Sequence, residues 1–81
     1  MKSHTVEEKF IIRLYELVSE NEDTEQRVNR YDVGHSIGFS PKLVETITKE
    51  MVRMNFIRTD GSELIYITDN GVRLAKLLLE E

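Results

Sequence analysis

Cysteine and tryptophan are absent from this 81-residue chain, and proline occurs once. Without cysteine there is no disulfide framework, no thiolate zinc site and no thiol nucleophile. Histidine is scarce: His4 and His35 are the only two, too few and too isolated for a metal centre or a catalytic triad. No apolar run approaches the length of a membrane span. The opening MKSHTVEEKF lacks the apolar stretch of a secretory signal, so the cytoplasm is the expected compartment. There is no glycine-rich cofactor loop, and Ser36 and Ser40 stand in no nucleophile motif. The paired carboxylates Glu7-Glu8 and Glu80-Glu81 read as helix-end charges. No enzyme, cofactor or metal is therefore expected.

The residues that remain describe one small globular domain over 1–81. Apolar residues make up 40% and charged residues 32%, a balance that supports a single core. The formal net charge is −4, which counts against a generic nucleic-acid binder. Its distribution matters more than the total. Residues 1–26 hold three basic and seven acidic side chains, and residues 59–81 hold two and five. Residues 27–58 hold six basic and three acidic ones. A basic middle thus lies between acidic ends.

Periodicity and caps divide the chain. Thr5-Val6-Glu7-Glu8 has the form of a capping box, and apolar Phe10, Ile11, Leu14, Leu17 and Val18 follow at helical spacing. The first helix is expected over Val6–Glu20, with Ile12 and Tyr15 beside its inner stripe. Asn21 to Gln26 has no apolar residue and reads as a loop. Asn29 can cap a short helix, Arg30 to Ile37, which Gly38 ends. Ser40-Pro41 then opens a helix to about Asn55, with Phe39 and Val44 at hydrophobic-staple spacing. Val44, Ile47, Met51 and Met54 mark its inner stripe. Asp60-Gly61 between β-prone runs predicts a hairpin, Phe56–Thr59 with Ser62–Ile67, and alternation places Tyr66 against the core or the first helix rather than out where it could stack on a base. Thr68 or Asp69 caps a last helix, Asn70 to Leu79, with Val72, Ala75, Leu78 and Leu79 on one side.

Seven positions then fall into one constellation. Gly34 stands where two steeply crossing helices would meet, and Gly38 makes the turn between them. Val33, Ile37, Phe39, Val44 and Ile47 supply the apolar seal. Together with the segment RMNFIR, the hairpin and ITDNGVRLAK, this pattern resembles the winged helix-turn-helix DNA-binding domains of bacterial and archaeal transcriptional regulators. The resemblance covers roughly Thr5 to Leu79. It implies a mainly helical α+β fold: a three-helix core, a short hairpin wing and a C-terminal helix.

What the resemblance implies about function is sequence-selective binding of double-stranded DNA. With Val44, Ile47 and Met51 turned inward, Lys42, Glu45, Thr46, Lys49 and Arg53 face outward on the second helix of the motif. Lys, Thr and Arg suit phosphates and base edges; Glu45 either repels the backbone or accepts from a cytosine amino group. Ser40 at the helix start, Arg30 before it and Arg58 at the root of the wing complete the candidate DNA contacts. Arg27 could assist or could face water. The wing tip, Thr59 to Glu63, has two acids and no base, unlike wings that enter a minor groove. One domain covers a short half-site, so a homodimer is expected. Ile12, Tyr15, Leu74, Leu77 and Leu78 are the apolar residues in surplus of one small core. The competing class is a winged-helix module that binds protein and no DNA.

Overall fold

The structure, a computed structural model, describes residues 3–80. Four helices and three short strands follow in the order α1 (Val6–Glu20), β1 (Val28–Asn29), α2 (Arg30–Ser36), α3 (Pro41–Arg53), β2 (Ile57–Asp60), β3 (Leu64–Ile67) and α4 (Asp69–Glu80). The fold is thus α+β and mainly helical. Among the described residues no helix is long and apolar enough to cross a membrane.

Local chemistry sets most helix ends. The Thr5 side chain accepts from the Glu8 amide, and Glu8 reaches back to the Thr5 amide at 2.8 Å. Asn29 caps α2 by accepting from the Tyr31 amide, and Ser40 caps α3 by accepting from the Leu43 amide. Gly38 adopts φ +77°, the left-handed conformation that glycine enters without a Cβ penalty. Both α2 and α3 end one to two residues before their expected limits, with Ile37 and Met54 as C-caps.

α1 forms the spine of the core. Phe10, Ile11, Leu14 and Val18 are fully buried, while Leu17 is half-buried. Val33 of α2, Val44 and Ile47 of α3, and Ile57 and Ile65 of the sheet close around them. Two expected core residues are not in it. Met54 is 55% exposed, because α3 ends at Arg53 and the chain turns away through Asn55 at φ +64°. Thr48, one turn beyond Val44 at the edge of the inner stripe, is buried, and its hydroxyl is satisfied by the Val44 carbonyl at 2.7 Å. On α4 the buried line is Gly71, Ala75 and Leu78. Leu79 lies well off that line and is 49% exposed.

The sheet is antiparallel, in the order β1-β3-β2. β2 and β3 pair from Ile57↔Ile67 to Asp60↔Leu64, so the turn is Gly61 to Glu63 and Asp60 is a strand residue. Ile57, Ile65 and Ile67 face the core. Tyr66 therefore lies on the opposite face, not in the core, because side chains alternate along a strand. β1, which periodicity does not suggest, pairs Val28 with Ile65. Thr68 ties the far side together: its hydroxyl donates to the Asn55 carbonyl at 2.6 Å and accepts from the Gly71 amide at 3.1 Å. That brings the start of α4 onto the segment leaving α3.

Candidate nucleic-acid interface

The outward side of α3 carries a narrow polar stripe. Lys42, Thr46, Lys49 and Arg53 follow at intervals of four, three and four. At 3.6 residues per turn they lie within about 60° of one another, directly opposite the buried Val44, Ile47, Thr48 and Met51. All four are exposed. The Thr46 hydroxyl rests on the Lys42 carbonyl at 3.2 Å. Arg53 pairs with Glu50 at 2.9 Å, an exposed i, i+3 contact that a phosphate could replace at small cost. Among the described residues, Lys42 and Lys49 enter no ion pair.

Glu45 and Arg30 are differently placed. The Tyr31 hydroxyl donates to Glu45 Oε2 at 2.8 Å and accepts from the Arg30 guanidinium at 3.0 Å. The same guanidinium lies over the Tyr31 ring at 4.9 Å. Glu45, expected to stand free before a base or a phosphate, is instead tied to α2. Its carboxylate and the Arg30 guanidinium share the Tyr31 hydroxyl as partner. Arg30 is correspondingly half-buried, and its Nε is buried without a partner among the described residues. Its backbone amide donates to the Glu63 carbonyl at 2.9 Å, which fastens the hairpin turn to α2. The structure thus gives Arg30 a bracing position between α2, α3 and the turn. Tyr31, the centre of this network, has no mark in the sequence, since its contact to Glu45 joins two helices across the turn.

The remaining candidates separate from the stripe. Ser40 is exposed, but its side-chain oxygen already serves the α3 cap. Arg58 stands on the outer face of the sheet, in register with Tyr66. Arg27 is there as well, by simple geometry: Val28 pairs with Ile65, so the next position along places Arg27 beside Tyr66. Its guanidinium lies 3.9 Å from the Tyr66 ring centroid and pairs with Asp60 at 3.2 Å. Arg27 therefore does not face only water. Its charge offsets one of the two acids near the hairpin turn.

The terminal helices show which of the surplus apolar residues the core has used. Leu78 is buried, and so is not available to a partner while the domain is folded. Ile12, Tyr15 and Leu74 are half-buried against the core. Leu77 is 62% exposed. Compared with known proteins, the sequence matches no family model and no curated relative.

Proposed function

We propose that this chain is a winged helix that binds double-stranded DNA in a sequence-selective manner, with α3 as the helix that enters the major groove and transcriptional regulation as its task. The observation that carries the reading is the exposed stripe Lys42, Thr46, Lys49 and Arg53 on one side of α3. Cations at both ends of such a stripe can hold phosphates, while Thr46 is placed to touch base edges. The engagement of Glu45 by Tyr31 supports the same reading, since it gives a carboxylate beside the stripe a partner within the domain. Arg58 on the outer sheet face would add a phosphate contact from the wing.

Four to five phosphate contacts predict a log–log salt slope of about −4 for a mixed duplex in a gel-shift titration. Lys42→Ala and Lys49→Ala should each weaken binding about three- to tenfold near 0.1 M salt and make the slope shallower by about one. Arg73→Ala, on the exposed side of α4, should change neither. A flat salt response, or a larger loss at Arg73 than at Lys49, would overturn this interface and favour the protein-binding class.

We further propose that the DNA-binding form is a two-fold dimer that uses the exposed part of α4, with Leu77 at its centre and Ile12 and Tyr15 of α1 contributing. A two-fold pair would present two α3 helices to successive major grooves. Sedimentation equilibrium at micromolar concentration should give twice the chain mass. Leu77→Lys should give a folded monomer that melts below the wild type at the same concentration, because dimerisation stabilises the native state by mass action, while the core itself is untouched at this 62% exposed position. A monomeric wild type removes the dimer and leaves the α3 reading in place.

A further inference from the structure

We infer that the chain has a binding site for a small organic cation with an apolar body, in the open cavity between the start of α1, the end of α3 and α4. The cavity measures about 360 Å³. Its floor and walls are Met51, Met54, Phe56 and Leu74. Glu7, Glu8 and Glu50 stand around it.

Size, surface and charge each narrow the occupant. A volume of this order suits one small molecule and is at the low end for ligand sites. A peptide helix would need a longer groove. Two methionine thioethers and a phenyl ring form an adaptable, polarisable lining of the kind that accepts alkylammonium groups. Met54 is more than half exposed here, although it is a large apolar side chain next to a concave surface. Covering it would remove apolar area from water, which supplies the driving force.

The charge decides the sign of the ligand. Three acidic residues, Glu7, Glu8 and Glu50, are among the lining residues; against them stand Arg53, paired with Glu50, and the His4 imidazole, 3.8 Å from Glu8. Glu8 is held by the Thr5 amide, so its carboxylate is fixed in place rather than free to swing away. Met51 and Met54 lie at the C-terminal end of α3, where the helix dipole also favours positive charge. An anion would be favoured only by the N-terminal end of α1, where Glu7 and Glu8 already stand, and would meet repulsion from the acidic residues and the end of α3. A second copy of the chain, docked cavity to cavity across a two-fold axis, would bring two sets of carboxylates together. Self-association through this surface is therefore disfavoured. The site does not depend on DNA binding, because the test reads the ligand directly.

The test uses the full chain with methyl-labelled methionine. Of the three methionines, Met51 and Met54 report on the cavity. Benzyltriethylammonium should shift the Met51 and Met54 methyl resonances saturably, while 4-phenylbutyrate, an anion of similar size, should bind at least about tenfold more weakly. The double substitution Glu7→Gln, Glu50→Gln should weaken the cation about fivefold, with unchanged methyl dispersion in the free protein. The inference is overturned if neither methyl shows a saturable shift up to about 10 mM cation. It is equally overturned if cation and anion bind alike, or if the double substitution leaves cation affinity intact.

Discussion

Replacing Gly34 with leucine is expected to lower the melting temperature by about 10 °C or more. The cause lies between α2 and α3. A Cβ at position 34 would overlap Val44 Cγ2 and stand 3.5 Å from Phe39 Cβ. Val44 is fully buried, and a β-branched side chain inside a helix has little freedom to turn its methyls aside. The helices must separate instead, and overpacking of this kind costs about 1–3 kcal/mol or more. Gly34→Ala should already be destabilising, because the overlap begins at Cβ. Helix propensity alone predicts the opposite sign, since alanine exceeds glycine by about 1 kcal/mol in a helix interior. Gly38→Ala provides the comparison. Nothing lies within 4 Å of a Cβ there, and the cost is the left-handed backbone alone, about 1–2 kcal/mol. Thermal unfolding followed by circular dichroism should rank the losses Gly34→Leu, Gly34→Ala, Gly38→Ala. A wild-type melting temperature for Gly34→Ala would mean that α2 and α3 do not cross at this residue.

The second large effect is expected at Gly71, in the first turn of α4. A Cβ there would overlap the Phe56 carbonyl oxygen and come within 2.6 Å of Ile67 Cγ1. The Phe56 carbonyl cannot easily move: it accepts from the Thr68 amide at 3.1 Å, and Thr68 is itself bonded to Asn55 and Gly71. Backbone yields less readily than a side chain, so α4 would have to lift from the sheet. That would loosen Ala75 and Leu78 from the core. Gly71→Ala should therefore cost about 2–3 kcal/mol, again against the sign of helix propensity. For a domain of this length that corresponds to a fall of roughly 10–20 °C in melting temperature. An increase in stability would show that α4 does not rest on the Phe56–Ile67 backbone.

Features decided by near neighbours are legible in the amino-acid order. The Thr5/Glu8 capping box, the Asn29 and Ser40 caps and the Gly38 turn depend on groups only a few residues apart. The stripe Lys42, Thr46, Lys49 and Arg53 is legible for a related reason. Once the buried side of α3 is marked by Val44, Ile47 and Met51, helical periodicity leaves the opposite side to solvent. Gly34 is legible as a point of close approach because apolar residues bracket it on both helices.

Features decided by distant partners are not. β1 has two residues, too few for a period, and exists because β3 offers an edge to Val28 and Asn29. The same pairing sets Arg27 against Tyr66 on the outer face of the sheet. Glu45 reads as a free acid on the helix, and only the crossing of α2 over α3 gives it Tyr31. Met54 and Thr48 depart from their hydropathy for a similar reason. Hydropathy favours the methionine, but α3 ends before Met54 turns inward, and Thr48 can bury its hydroxyl by bonding its own helix. Where α1, α2 and α3 start, and which side of α3 is polar, follow from contacts within one or two turns, so the order of residues is enough to set them. Which charges on that side are free, which leucines the core consumes and where a cavity opens beside Glu7 follow from contacts between elements far apart in the chain, and these exist only once the helices and the sheet have packed.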